Sequence, residues 1–192
     1  DEPALSQRAI AQGTGKALGT VNGLVKQLDA MGYLDGANRI TDAGRAALAP
    51  YRVDNAVIMA AGMSSRFAPL SYEKPKALLK VKGEVLIERE IRQLQAAGID
   101  DITIVVGYMK EKLFYLEDRF HVKIVINEDY HRYNNPSTLM LVRDRLKNTF
   151  ICSSDNYFEQ NPFELYVYQA YYASLYSCLL YTSPSPRDTE RS

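Results

Sequence analysis

The sequence predicts an α/β fold: a mostly parallel sheet with crossover helices from residue 53 onward, behind a small helical unit at residues 1–50. Two observations carry this. Beyond Val53, short β-branched runs alternate with amphipathic segments of helical length, a pattern that forces parallel strands joined by right-handed crossovers. Before Pro50 the apolar residues recur at helical spacing, punctuated by Gly-Thr-Gly, Asp-Gly and finally Pro.

The first unit is read element by element. "LSQRAIAQGTG" at residues 5–15 offers Ser6 as an N-cap, Ala9 and Ile10 as apolar positions, and a Gly-rich stop. "ALGTVNGLVKQLDAMGYL" then places Leu18, Val21, Leu24, Val25, Leu28 and Met31 on one helical face. Asp35-Gly36 predicts a tight turn between short segments ending at Arg39-Ile40-Thr41. "TDAGRAALAP" starts on a cap-like Thr41 or Asp42 and ends at Pro50. Helix, turn, longer helix, small hairpin and helix resemble a winged helix-turn-helix domain lacking its first helix. That resemblance implies possible DNA contact through Lys16, Thr20, Asn22 and Lys26 on the second helix. Charge argues the other way: Arg8, Lys16, Lys26, Arg39 and Arg45 are matched by Asp1, Glu2, Asp29, Asp35 and Asp42, with no basic surplus for phosphate neutralisation. Protein contact or dimerisation is the competing use.

In the second unit, "NAVIMAA" predicts a buried strand, and "VLIEREIRQLQAAG" a helix with Leu86, Ile87, Ile91, Leu94 and Ala97 inward. "DITIVVGY", "VKIVIN" and "NTFICSSD" predict three more strands. "EKLFYLEDRF" and "STLMLVRDRL" predict the helices between them. Open parallel sheets bind ligands at the carboxyl ends of their strands. Three places are thereby selected: the loop after Met59, the turn at 107–109, and Asp155.

Composition bounds the function. Apolar residues at 46% and charged residues at 24% suit a globular protein with a true core. Zero formal net charge gives no global field for nucleic acid or an anionic membrane. No run approaches a membrane span, there is no signal-peptide pattern, and Cys152 and Cys178 have neither metal spacing nor a disulfide framework. A cytoplasmic, reduced protein is expected. Both ends read as cut: the chain opens on Asp1, and "CLLYTSPSPRD" at 178–188 resembles one translated frame of a sequencing adapter, against a natural Ser/Pro-rich tail. The expected division is 1–50, 53–176 and an artefactual or disordered 177–192.

The chemistry concentrates after the first strand. Ala60, Ala61, Gly62, Met63, Ser64 and Ser65 form a small-residue loop that lets a ligand approach backbone N–H groups, although such a loop also arises as a plain tight turn. Arg66 adds a fork-shaped cation suited to phosphate oxygens, and Pro75 restricts the backbone leading to Lys76. Neither G-x-x-x-x-G-K-[ST] nor G-x-G-x-x-G is present. Asp155 follows a strand, where it serves either as a carboxylate for Mg2+ or as a turn cap. Asn134, Asn135 and Ser137 either hydrogen-bond a nucleotide or lead into a helix through Asn135-Pro136. Tyr157 is read as packing before it is read as part of a cation–π cage, and His121 and His131 as structural or exposed.

Taken whole, "MAAGMSSRFAPLSYEKPKALLKVKGEVLIE" at 59–88 resembles the signature of nucleotidyltransferases that join an NTP to a phosphorylated small molecule. The resemblance spans about residues 53–163 and implies a Rossmann-like sheet of the nucleotidyltransferase type. It also implies triphosphate contacts at Gly62, Ser64, Ser65, Arg66 and Lys76, with Ser64 standing where the family has a second glycine. The arginine-to-lysine spacing is that of the sugar-phosphate and choline-phosphate enzymes rather than the molybdenum-cofactor type. "INEDYHRYNNPSTLMLVRDRL" and "FICSSDNYF" are similar to bacterial choline-phosphate cytidylyltransferases of the LicC type, and the G-T-A motif of hexose-phosphate enzymes is absent. The resemblance implies CTP, phosphocholine and Mg2+ as partners, with Lys76 and Arg66 catalytic and Asp155 on the metal. The alternatives are a sugar-1-phosphate nucleotidyltransferase and a nucleotide-sensing, DNA-binding transcriptional regulator.

Overall fold

A computed structural model of the chain describes residues 5–63, 70–131 and 135–172; of residues 70, 71 and 135–137 it describes the backbone only. Ser64, Ser65, Arg66, Asn134 and the adapter-like tail expected at 177–192 lie outside the described residues.

Three helices open the chain: α1 (Gln7–Thr14), α2 (Leu18–Ala30) and α3 (Asp42–Leu48). The Ser6 hydroxyl accepts from the Ala9 N–H at 3.2 Å and Gly15 ends α1 at φ 65°, a left-handed conformation that glycine tolerates. Thr41, rather than Asp42, caps α3, its hydroxyl accepting from the Gly44 N–H at 3.1 Å. The small hairpin expected before α3 is reduced to a single bridge between Leu34 and Ile40. Along α2, Val21 is buried and Val25 half-buried, but Leu18, Leu24, Leu28 and Met31 are exposed. The periodicity fixed the helix, but among the described residues little of its apolar face is covered. Lys16, Thr20, Asn22 and Lys26 are exposed, as expected.

The second unit is a four-stranded, all-parallel sheet in the order β5-β4-β1-β6, built from β1 (Asn55–Ala60), β4 (Ile102–Val106), β5 (Lys123–Ile126) and β6 (Thr149–Ser153). A two-stranded hairpin, β2 (Lys80–Val81) and β3 (Glu84–Val85), turns through Lys82 and Gly83 at φ 49° and 84°. The remaining helices are α4 (Leu70–Glu73), α5 (Leu86–Ala96), α6 (Tyr115–Phe120) and α7 (Asn135–Met140). The helix expected over 137–146 ends at Met140, and a 3₁₀ turn at Arg143–Arg145 completes the connection. Leu113 and Leu116, either side of the junction between a 3₁₀ turn and α6, are fully buried. No described helix is long and apolar enough to cross a membrane.

Chain order explains where the sheet opens. From β1 the chain moves outward through β4 and β5, then returns to lay β6 on the other side of β1. The connections after β1 and after β6 therefore lie side by side, at a topological switch point. β1 is the central strand, with Ala56, Val57 and Ile58 wholly buried, as α/β sheets covered on both faces require. The turn after β4 is packed tightly against this point. A Cβ on Gly107 would stand 2.7 Å from Tyr130 Cβ and 2.8 Å from the Ala61 carbonyl oxygen.

Two buried acids on α5 have opposite fates. Glu88 accepts from the Tyr115 hydroxyl at 2.9 Å and Arg119 Nη1 at 2.8 Å, and pairs with Arg92 at 3.4 Å. Burial and the Glu88 contact push the Tyr115 phenol up to about 12. Glu90, 2% exposed, faces the sheet between Ile87, Ile91 and Leu94, and neither carboxylate oxygen has a hydrogen-bond partner among the described residues. Burial, with the charge of Asp155 adding to it, pushes Glu90 from 4.5 up to about 8. The same environment raises the Cys152 thiol, through burial first and Glu90 second.

Gly107→Ala is expected to destabilise the fold by about 1–3 kcal/mol, because the added methyl meets backbone and a Cβ rather than a flexible chain end; urea denaturation measures it. Glu90 makes a pH-dependent contribution. Between pH 4.5 and about 8 the unfolded chain has lost this proton while the fold keeps it, so stability falls as pH rises through that window. Glu90→Gln removes this slope. Its stability relative to wild type should rise by on the order of a few kcal/mol from pH 4.5 to pH 8, as read by denaturation at both ends of the window.

Candidate functional site

The loop after β1 begins with Ala60 and Ala61 buried and turns outward at Gly62 and Met63, both exposed. The Ala61 carbonyl accepts from the Tyr108 N–H at 3.2 Å, which ties this loop to the turn after β4. Gly62 has no left-handed φ, and no described atom lies within 4 Å of where its Cβ would stand. Neither backbone conformation nor packing among the described residues therefore requires glycine there.

Lys76 stands on a short, well-anchored element. Pro75 and Ala77 are buried, and a 3₁₀ turn at Lys76–Leu78 closes with the Leu78 N–H on the Pro75 carbonyl at 2.9 Å. Proline sets the entry angle and Ala77 fixes the turn in the core, so the Lys76 side chain projects from a rigid base. Asp155 arrives from the opposite direction. β6 ends at Ser153, the Ser154 N–H still reaches the Met59 carbonyl at 3.3 Å, and a tight turn follows. The two side chains, 79 positions apart in sequence, form an ion pair between Lys76 Nζ and the Asp155 carboxylate. Their exposures of 29% and 31% keep this pair partly sheltered from water, where attraction is screened less than on an open surface.

The fold thus brings together the Gly62 loop, Lys76 and Asp155 at the carboxyl ends of β1 and β6. Asn135 and Ser137 begin α7, after the far strand β5. α7 is tied back to that strand end by Asn127, whose side-chain amide donates to the Thr138 hydroxyl at 3.1 Å. Tyr157 is accounted for within the protein: Arg89 lies over its ring at 4.9 Å and Lys82 at 5.8 Å. The sequence reasoning named neither Glu90 nor Arg89. Glu90 was detectable, since it falls at helical spacing among Ile87, Ile91 and Leu94. Arg89 carried no comparable signal, because its partners lie about 70 positions later.

The donor chemistry at Asp155 is a hard carboxylate oxygen at a strand end. Mg2+ takes one or two protein carboxylates and completes its shell with phosphate oxygens and water, so Asp155 fits that ion. Among the described residues no cluster of three or more His, Cys, Asp and Glu could hold a metal alone. A groove of about 980 Å³ along β6 is lined by Phe150, Phe158, Phe163 and Tyr171, with Lys147 its one cation. Its aromatic walls set it apart from the ion-paired setting of Lys76.

Known proteins resemble this chain over part of its length. The chain is 40% identical over 121 residues to a choline-phosphate cytidylyltransferase of Streptococcus pneumoniae, covering 63% of this chain and 53% of that protein. It is 43% identical over 104 residues to a 2-aminoethylphosphonate cytidylyltransferase of Lancefieldella rimae, covering 53% of this chain and 42% of that protein. The solved CTP:phosphocholine cytidylyltransferase of Streptococcus pneumoniae superposes with a TM-score of 0.57 and 42% identity, over 59% of this chain and 49% of that one. The chain spans about half the length of the curated relatives it matches. Residues 56–179 match the MobA-like NTP transferase domain, and with that match the chain belongs to the MobA-like NTP transferase family.

Proposed function

We propose that residues 53–176 form the nucleotide-binding part of a Mg2+-dependent cytidylyltransferase, which joins CTP to a phosphomonoester and releases pyrophosphate. The observation that carries this reading is the meeting of Lys76 and Asp155 at the switch point where Gly62 also lies. An acceptor phosphate oxygen attacks the α-phosphorus of CTP in line. The new O–P bond forms as the bond to the β-phosphate oxygen breaks, and pyrophosphate leaves with that electron pair. Lys76 offsets negative charge growing on the α-phosphate, and Arg66 takes the β- and γ-phosphates. The backbone N–H groups from Gly62 to Ser65 orient the triphosphate. Asp155 would hold Mg2+, which supplies charge neutralisation at the phosphates. Asn134, Asn135 and Ser137 are assigned to base and ribose.

Lys76 and Asp155 neutralise one another in the ligand-free fold. In the reaction each serves a different partner, the lysine a phosphate and the carboxylate a metal ion, so Mg2+–CTP must separate them. Phosphocholine is the favoured acceptor because the relatives at 40% and 43% identity are choline-phosphate and 2-aminoethylphosphonate cytidylyltransferases. Hexose 1-phosphates are the competing acceptor class.

Lys76→Ala is expected to lower turnover about 10²–10³-fold with an unchanged melting curve, measured as pyrophosphate release from CTP and phosphocholine. Chelating divalent cations should abolish that release. Turnover in Lys76→Ala equal to wild type, or release with glucose 1-phosphate and UTP in place of the cytidylyl pair, would overturn the assignment. A separate reading attaches to the helical unit, where Lys16 ahead of α2 and Thr20, Asn22 and Lys26 on it are exposed, as DNA contact requires. Such binding must weaken steeply as salt rises in a mobility-shift titration, and salt-independent or undetectable association removes it.

A further inference from the structure

Asp155 lies at the end of the last described strand, and what orients it is the segment that follows. After the turn closed by the Asn156 N–H on the Ser153 carbonyl at 3.2 Å, residues 157–159 lie in no strand. Arg89 makes several of the contacts that hold them. Arg89, on the first turn of α5, donates Nε to the Phe158 carbonyl at 3.0 Å and Nη2 to the Glu159 carbonyl at 2.8 Å. Its guanidinium lies over the Tyr157 ring at 4.9 Å, and Nη1 pairs with Glu84 of the hairpin. Three successive residues, starting two beyond Asp155, are thus gripped by one side chain that is 19% exposed. Gln93, one turn further along α5, donates to the same Phe158 carbonyl at 3.1 Å.

We propose that Arg89 is a positioning residue for Asp155, holding the carboxylate where it meets the metal ion. The inference rests on the assignment of Asp155 to the metal. Lys76 precedes the hairpin whose Glu84 holds Arg89, so the lysine and the clamp belong to one continuous segment. The Lys76–Asp155 pair and the Arg89 clamp are two fastenings between the same two segments of chain. When Mg2+–CTP separates Lys76 from Asp155, the Arg89 and Gln93 bonds still fix the turn after Asp155 against α5. The neighbouring Lys82–Glu159 pair cannot replace them, being 62% and 74% exposed and therefore weak. Lysine cannot replace Arg89 either, because three differently aimed N–H groups and a planar face are all in use.

Mn2+ binding in the presence of CTP, followed by electron paramagnetic resonance, tests this in the 192-residue chain. Asp155→Asn should abolish the bound-Mn2+ signal. Arg89→Lys and Arg89→Ala should each weaken Mn2+ at least about tenfold, as loss of a supporting partner does to a metal ligand. Metal-free CTP affinity, read by calorimetry, should stay constant in both, a split that general loosening of the fold would not produce. Lys82→Ala should bind Mn2+ like wild type. If Arg89→Ala fails to fold by circular dichroism, Arg89→Lys gives the answer. Wild-type Mn2+ affinity in Arg89→Lys would overturn the proposal, whereas wild-type affinity in Asp155→Asn would overturn the metal assignment beneath it.

Discussion

The site depends on β1 being paired on both edges. A parallel strand cannot return beside its predecessor through a tight turn, so every connection must travel over the sheet. Here the chain leaves β1 for β4 and β5 and comes back to pair β6 with β1, Met59 standing opposite Ser153. That register puts the small-residue loop and Asp155 beside each other at one end of the sheet. Slipping β6 by one residue would turn buried Cys152 outward and carry Asp155 away from Lys76. The chemistry is thus fixed by the ladder of a hydrophobic strand whose own side chains do none of it.

Much of this was legible in the sequence because the signals are local. Alternation of β-branched runs with amphipathic segments determines a parallel sheet, and the capping of α1 by Ser6 and α3 by Thr41 follows from hydroxyls placed before helical periods. The ends of the strands followed, and with them the placement of Gly62 and Asp155 at one edge. What was not legible was relational. The exposure of Leu24, Leu28 and Met31 depends on which elements are available to cover α2, and the shortened α7 depends on how the chain drops into β6. The grip of Arg89 on Phe158 and Glu159 involves backbone carbonyls, which leave no mark in a sequence.

α5 shows how one helix serves stability and site together. Its inward stripe of Ile87, Ile91 and Leu94 is wholly buried and supplies the apolar area that holds it to the sheet. Glu88, one position from that stripe, is satisfied by Tyr115, Arg119 and Arg92, so its burial is compensated. Glu90, within the stripe, is not. A carboxyl without partners in an apolar setting stays protonated rather than carrying charge, and the nearby negative charge of Asp155 reinforces that choice.

This neutral state matters for the site above it. An ionised Glu90 would add negative charge behind Asp155. Kept protonated, it leaves the Lys76–Asp155 ion pair without that added charge. Arg89, the residue before it, places its own charge against Glu84 and two carbonyls. Successive residues of α5 thus withdraw one negative and one positive charge from the site. On the proposed reading, the Lys76–Asp155 pair is a contact that a nucleotide and its metal ion have to open.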